Sequence, residues 1–145
     1  MMEIRAKSRR LAQRTDLRLI VIDYLQLMTS GKKVESRQQE VSEFSRQIKL
    51  LAKELEVPVV AMSQLNRGPE QRTDKKPMLA DLRESGSIEQ DSDMVILLHR
   101  PDAFERDDPR GGEADLIIAK HRAGPTKTIT VAHQLHLSRF TNMAH

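Results

Sequence analysis

The chain has 145 residues, which allows one domain with a modest hydrophobic core but is short for two. Its composition, 38% hydrophobic and 31% charged with a formal charge of +3, is that of a globular protein whose partner can be a polyanion but need not be. The absence of cysteine excludes disulfides and thiolate zinc sites and fits a reducing cytoplasmic location, and the sequence shows neither a membrane span nor a signal peptide.

The hydrophobic pattern predicts helices and strands along the whole chain. In order, the predicted elements are a basic helix over 3–14, a strand over 18–23, an amphipathic helix over 35–56, strands over 57–62, 94–98 and 114–122, and one or two strands within 127–140. Continuous apolar runs separated by helices are typical of a parallel sheet that is covered on both faces. We therefore expect an α/β fold.

Polar side chains lie at the ends of four of the predicted strands. They are Asp23 at the end of the first, Ser63 and Gln64 at the end of the second, His99 and Arg100 at the end of the third, and Lys120 and Arg122 at the end of the fourth. Because ligands of open parallel sheets bind outside the carboxyl ends of the strands, we expect these side chains to share one edge. For any single strand, the alternative is that a chain leaving the core simply becomes polar. An acid, an amide and two cations together favour a phosphate site.

Each of these groups suits a particular task at a phosphate. The carboxylate of Asp23 can accept hydrogen bonds from the waters that a magnesium ion keeps. Gln64 can donate to a terminal phosphate oxygen and accept from an attacking water. Lys120 and Arg122 are two residues apart on a predicted strand, so both should project from one face and neutralise charge on a transferred phosphoryl group. A solvated strand end remains the alternative for this pair.

The segments that carry these residues resemble the carboxyl-terminal part of the RecA-like motor domain of replicative hexameric DNA helicases, the DnaB family. The matching segments are LIVIDYLQLM (19–28), VPVVAMSQLNR (57–67), LADLRESGSIEQDSDMVILLHR (79–100), DLIIAKHRAGPT (115–126) and SRF (138–140). SGSIEQDSD and SQLNR are the most specific of them. The resemblance implies a RecA-like α/β domain over 1–145, with a mostly parallel twisted sheet flanked by helices and further β strands at the C-terminal end.

The resemblance also implies roles for individual residues. Asp23 matches the Walker B aspartate that positions magnesium, and Gln64 matches the glutamine that senses the γ-phosphate of ATP. Lys120 and Arg122 match the pair that reaches the nucleotide of a neighbouring subunit, with Arg122 as the arginine finger. ATP and magnesium are the implied cofactors, and a homo-hexameric ring with primase and loader partners is the implied assembly.

A second implied site binds single-stranded DNA. Arg83, Glu84, Ser85 and Gly86 match a loop that lines the central channel and holds DNA by its backbone. Gly86 would let main-chain N–H groups approach a phosphate, and Arg83 would add a charge-assisted contact. A helix end with a Ser-Gly turn is the alternative. Aromatic residues make up only 3% of the chain, which favours backbone contact over base stacking.

The sequence departs from the family pattern in one important way. None of its glycines, at 31, 68, 86, 111, 112 and 124, opens the G-x-x-x-x-G-K-[ST] run of a phosphate-binding loop. We therefore expect a sheet that is incomplete on its N-terminal side, exposed apolar area on the first helix and the sheet, and no ATP hydrolysis by the chain alone. Ala123 and Lys127, where many family members have Asn and Gly, affect no assigned residue.

Three functional interpretations follow. The chain is a segment of a helicase motor, a non-catalytic fragment that binds single-stranded DNA or a helicase ring, or an inactive gene remnant. A recombinase of the same fold is the nearest rival, and SGSIEQDSD favours the helicase. Elsewhere, we expect no metal at His133 and His136 and a solvated loop over 102–110. We also expect a solvated basic face on the first helix, for which contact with DNA is the alternative.

Overall fold

A computed structural model describes residues 1–29 and 36–143, with the side chains of 83–85 left undescribed. The helices are α1 (Met2–Arg14), α2 (Arg37–Leu55), α3 (Gly68–Gln71) and α4 (Gly86–Asp91). The strands are β1 (Ile20–Ile22), β2 (Val59–Ala61), β3 (Met94–His99), β4 (Glu113–His121), β5 (Lys127–Gln134) and β6 (Arg139–Asn142). Short 3₁₀ turns cover Leu25–Leu27, Leu79–Ser85, Pro101–Ala103 and Leu135–Leu137. Every predicted helix and strand is present within the described residues, whereas α3 and α4 were not predicted.

The chain divides into two compact units, of which the first comprises residues 1–64 and 82–92. Its two strands, β1 and β2, pair in parallel, with Ile22 opposite Ala61. Helix α2 begins after Ser36, whose hydroxyl accepts a hydrogen bond from the Gln39 N–H at 3.2 Å and so caps the helix. It ends at Leu55, and the next residue, Glu56, adopts the left-handed conformation with φ of 54°.

The core of this unit lies between α2 and the two strands. Ile22, Leu25 and Ile48 form its buried centre, and partly buried apolar side chains surround them, namely Met1, Ile20, Met28, Val59 and Ile88. Ile48 belongs to the apolar stripe of α2 that the spacing of residues predicted. Apolar burial of this kind is the main source of free energy that holds the unit together.

The second unit comprises residues 65–81 and 93–145 and contains a four-stranded sheet in the order β3-β4-β5-β6. All three pairings in this sheet are antiparallel. The α/β class is confirmed, but the prediction that the third and fourth strands belong to a parallel sheet is wrong, because β3 and β4 are antiparallel. A parallel crossover usually contains a helix, whereas the connection of residues 100–112 contains only the short 3₁₀ turn Pro101–Ala103. Residues 122–126, which join β4 to β5, are too few for a parallel crossover.

Burial alternates along β3, as expected for a strand with one covered face. Val95 and Leu97 are buried, whereas Ile96 and Leu98 are about half exposed. In the first unit, Leu11 on α1 and Val21 on β1 are similarly exposed, so apolar area is exposed on the first helix and on the β1–β2 sheet. Among the described residues, no helix is long and apolar enough to cross a bilayer.

The expectation of a solvated loop over 102–110 is right for its exposed middle, 103–107, and wrong for Asp102, which is hydrogen-bonded within the second unit. Asp102 Oδ1 accepts from the Arg100 guanidinium at 2.9 Å, and Oδ2 accepts from the Gly112 N–H at 3.2 Å. His133 Nε2 lies 2.8 Å from the same Oδ2. His133 therefore helps to anchor this loop, and within the described part of the chain no group of three or more candidate ligands could hold a metal ion.

The basic face of α1 was expected to be solvated, and two of its arginines instead pair with α2. Arg5 donates to Glu54 at 3.0 Å, and Arg9 contacts the other oxygen of the same carboxylate. These side chains remain about half exposed, so each pair contributes little to stability.

An ion pair with a buried carboxylate predicts how the stability of the second unit depends on pH. The Arg110 guanidinium, which donates to Asp115 at 2.6 and 3.0 Å, holds the pKa of this carboxyl below its usual value. A lowered folded-state pKa stabilises the fold above the unfolded value of about 3.9, and this stabilisation is lost as the pH falls through the folded value. We expect the free energy of unfolding to fall below about pH 4, and less steeply in Asp115→Asn.

Urea unfolding between about pH 2 and pH 6 measures this dependence. Asp107→Asn, which changes an exposed carboxylate, is the matched control and should keep the slope of the parent chain. An Asp115→Asn variant with an unchanged slope would contradict the assignment.

Candidate functional site

Two residues of the predicted phosphate site, Asp23 and Gln64, lie at the same edge of the β1–β2 sheet. Asp23 immediately follows β1, and Gln64 lies three residues beyond β2. Because the strands are parallel, both residues leave the sheet at its carboxyl edge. The main chains stay paired there, since the Met62 N–H donates to Ile22 O at 2.9 Å and the Leu25 N–H donates to Met62 O at 3.0 Å. The fold thus brings the acid and the amide to one edge.

The carboxylate of Asp23 is exposed at this edge. Among the described residues, no hydrogen bond or ion pair engages it, so its oxygens are open to an external ligand. Magnesium bound to a nucleotide keeps several waters and uses only one or two protein carboxylates. A single exposed carboxylate beside a strand end therefore fits such an ion without a dedicated cluster of acids.

Gln64 is also exposed, and its main chain is held by a residue that the sequence reasoning did not single out. The side chain of Gln26, in the turn after β1, hydrogen-bonds with the Gln64 main chain. The available signal was the position of Gln26, a polar residue between two leucines directly after the Walker B-like strand. Nothing in the residue pattern indicated its partner.

The two cations of the predicted site belong to the second unit and sit at the end of β4. Lys120 is the penultimate residue of the strand, and Arg122 is the first residue of the turn that follows. The prediction that both lie on one strand is therefore wrong by one residue. The Arg122 guanidinium lies 3.2 Å from Asp93 Oδ1, and its main-chain N–H donates to Asp93 O at 2.8 Å.

The antiparallel register corrects a second expectation about these strand ends. His99 pairs with Asp115 near the start of β4, whereas His121 at the end of β4 pairs with Met94. His99 and Arg100 therefore lie at the opposite end of this sheet from Lys120 and Arg122. The prediction that all four strand ends share one edge is wrong for the third and fourth strands.

The turn that carries Arg122 has glycine at position 124, against which the His121 ring packs closely. A Cβ atom there would lie 2.6 Å from His121 Cε1, so a larger residue would force the ring to shift. The His121 ring packs over this glycine, with Nδ1 3.4 Å from Pro125 O.

The predicted DNA-contacting residues follow in sequence an ion pair whose carboxylate, that of Asp81, is buried. Arg72 donates to both carboxylate oxygens of Asp81, at 3.0 Å for Oδ1, and the Met78 N–H donates to Oδ2 at 2.7 Å. The Arg72 guanidinium and this N–H hold the pKa of Asp81 below its usual value. The turn that begins at Leu79 therefore starts from a fixed point in the second unit.

These predicted DNA-contacting residues lie where a 3₁₀ turn meets a helix. The 3₁₀ turn Leu79–Ser85 ends where α4 begins at Gly86. The local backbone is therefore that of a helix end, as in the alternative to a DNA-binding loop. The side chains of Arg83 and Glu84 lie outside the described residues. Gly86 is exposed, and a Cβ atom there would meet nothing within 4 Å. No side chain thus covers the main chain on this side of Gly86.

Comparison with known proteins identifies the relatives of this chain. Residues 1–142 match the family model of the DnaB-like helicase C-terminal domain. The replicative DNA helicase DnaB of Mycobacterium intracellulare is 87% identical over 144 residues, which are 99% of this chain and 25% of that protein. The corresponding helicase of Geobacillus stearothermophilus is 54% identical over 142 residues, 97% of this chain and 31% of that protein. The chain thus spans about a quarter to a third of the length of these relatives.

Two solved structures share the fold. One is an ATPase domain with a TM-score of 0.92 and 42% identity, over 97% of this chain and 50% of that one. The other, a DnaB-like replicative helicase described with its interactions with primase, has the same TM-score and identity, over 97% of this chain and 35% of that one. The expected RecA-like α/β fold is confirmed by these similarities.

Proposed function

Because this chain belongs to the family of DnaB-like helicase C-terminal domains, we propose that it is a part of an ATP-driven replicative helicase motor that includes the Walker B strand. The complete motor couples ATP hydrolysis to movement on single-stranded DNA and to unwinding of the duplex. The observation that carries the proposal is the placement of Asp23 and Gln64 at one carboxyl edge of parallel strands.

In this proposal the two residues divide the work at the terminal phosphate. Asp23 accepts hydrogen bonds from the waters of a magnesium ion, and that ion neutralises charge on the phosphate oxygens. Gln64 donates its amide to a γ-phosphate oxygen and orients the attacking water with its carbonyl oxygen. The hydrogen bonds of Gln64 then depend on whether ATP or ADP occupies the site. Through them, hydrolysis changes the contacts of the segment that begins at Gln64.

Lys120 and Arg122 act on the nucleotide of a neighbouring subunit in a ring of six. The position of Arg122 in an exposed turn supports this role, because a finger must reach beyond its own subunit. Within the described residues its guanidinium pairs with Asp93, which is itself exposed, and such an ion pair is weak enough to be exchanged for a phosphate. The planar guanidinium suits two phosphate oxygens at once.

The DNA-contacting role is proposed for Arg83, Glu84 and Gly86. The open space at Gly86 supports it, because a main-chain N–H there can approach a phosphate without obstruction by a side chain. Contacts of this kind carry little sequence information, as a motor that moves along any sequence requires. The primase and a loader are proposed as partners of the complete helicase through regions outside this chain.

A chimaeric helicase tests the proposal. In it, residues 1–142 replace the matching segment of the Mycobacterium intracellulare helicase, which supplies the rest of the motor. We expect the chimaera to hydrolyse ATP and unwind a forked duplex, and we expect the 145-residue chain alone to show no measurable hydrolysis. The chain carries no G-x-x-x-x-G-K-[ST] run, whose backbone N–H groups and lysine supply most of the nucleotide's binding energy in such folds.

The control is the same chimaera with Asp23→Ala, which should assemble but not hydrolyse ATP. A parent chimaera that forms rings and yet lacks ATP hydrolysis would contradict the proposed function. Hydrolysis by the chain alone would contradict the dependence on the phosphate-binding loop.

A further inference from the structure

We propose that Gln26 is a positioning residue that holds the main chain of Gln64 and thereby aims the γ-phosphate sensor. This inference rests on the proposed function of Gln64. It assigns a task to the one polar side chain between the leucines of LQL, which the family resemblance left without a role.

The contact is reciprocal and involves both polar main-chain groups of one residue. The Gln64 N–H donates to Gln26 Oε1 at 3.2 Å, and Gln26 Nε2 donates to Gln64 O at 3.3 Å. The same nitrogen donates to Ser63 Oγ at 3.0 Å. Turning the amide over would place Oε1 against the carbonyl oxygen of Gln64, so these three partners fix its orientation.

The position of Gln26 explains why a side chain is needed here. The main-chain pairing between the two segments ends with the bond from the Leu25 N–H to Met62 O. Beyond that point the first segment enters the 3₁₀ turn Leu25–Leu27 and can no longer pair with the second. The amide of Gln26 satisfies the N–H and C=O of Gln64 in the way that a neighbouring strand would.

A second residue holds Gln26 itself. Arg37, in the first turn of α2, donates to Gln26 O at 2.6 Å and to Met28 O at 2.8 Å. Arg37 also contacts Glu40 on the same helix, so its side chain is held by the helix as well as by the turn. The chain of contacts runs from the start of α2, through the turn after β1, to the main chain of Gln64.

This arrangement predicts a specific chemical consequence. Gln64 is exposed, and its side chain can be aimed only if its main chain is fixed. Asparagine at position 26 would be one methylene too short to reach both groups, and glutamate would keep an acceptor but lose the donor. Loss of the amide should therefore misplace the sensor and leave the rest of the nucleotide site intact.

Amide hydrogen exchange on the 145-residue chain tests the contact directly. We expect exchange at the Gln64 N–H to become at least about tenfold faster in Gln26→Ala, since its acceptor is removed. Gln26→Glu should retain most of the protection because it keeps the acceptor. Gln38→Ala, a substitution at an exposed glutamine of α2, is the matched control and should leave the exchange unchanged.

ATP hydrolysis by the chimaeric helicase tests the consequence. We expect Gln26→Ala and Gln26→Glu to lower kcat about 10- to 100-fold with little change in KM for ATP, because the sensor acts on the reacting phosphate. In a Gln64→Ala background, Gln26→Ala should cause no further loss, since it acts through Gln64. If Gln26 only stabilised the fold, Gln26→Ala would lower kcat further in the Gln64→Ala chimaera.

Two results would overturn the inference, and the first of them does not depend on the proposed function. One is unchanged exchange at the Gln64 N–H in Gln26→Ala. The other is a loss of kcat in Gln26→Ala that is fully additive with Gln64→Ala. An inactive parent chimaera would instead count against the proposed function, and the exchange measurement would still decide the contact between Gln26 and Gln64.

Discussion

Arg122→Ala in the chimaeric helicase is expected to lower kcat for ATP hydrolysis by about 10³- to 10⁵-fold, the effect of removing an arginine finger. The expected loss is large because Arg122 would stabilise charge that develops only in the transition state. KM for ATP should change much less, since the phosphate-binding loop supplies most of the affinity. Arg122→Lys should recover little activity, because an ammonium cannot contact two phosphate oxygens in a fixed plane.

Arg106→Ala is the matched control, because Arg106 is an exposed arginine in another loop of the same unit. It should retain the parent activity. Mixed rings separate action on a neighbour from action within one subunit. In rings that contain both variants, an Arg122→Ala subunit keeps Asp23 and an Asp23→Ala subunit keeps Arg122. Where the second supplies its arginine to the nucleotide of the first, the site is complete, so ATP hydrolysis should partly return. Mixed rings as inactive as either variant would contradict action across the interface.

The strand–helix pattern of this fold was predictable, but the pairing of its strands was only partly so. Apolar runs located β1, β2, β3 and β4 within a few residues, because burial of apolar side chains decides where strands form. The direction of pairing depends on the connections, and only residues 122–126 join β4 to β5. A connection that short excludes a parallel crossover, so this part of the topology was already available from the sequence.

For the candidate site, the positions of its residues were predictable from the sequence, whereas the contacts that hold them were not. The position of Asp23 and Gln64 at one edge followed from two parallel strands that each end in a polar residue. The contacts of Gln26 with Gln64 and of Arg72 with Asp81 did not follow from any pattern. Their partners are separated in sequence and meet only when the chain has folded. Periodicity reports which face of an element is buried, whereas a contact between particular polar groups depends on tertiary structure.

Leu25→Ala is expected to lower the free energy of unfolding of the chain by about 2 to 5 kcal/mol, the range for removing a buried leucine side chain. Leu25 is only 2% exposed and packs with Ile22 and Ile48 in the core of the first unit. It lies between Asp23 and Gln26, and its N–H closes the last main-chain bond to Met62. The cavity that alanine leaves would therefore loosen the segment that carries Asp23 and Gln26.

Leu27→Ala is the matched control, because Leu27 lies in the same 3₁₀ turn and is 66% exposed. Its free energy of unfolding should stay within about 0.5 kcal/mol of the parent value. Urea unfolding of the two variants and the parent, followed by circular dichroism, measures the difference. Equal losses in the two variants would contradict the burial of Leu25, and with it the packing that fixes the turn from Asp23 to Gln26. A loss confined to Leu25→Ala would show that the core of α2 and β1 stabilises the edge on which the proposed site is built.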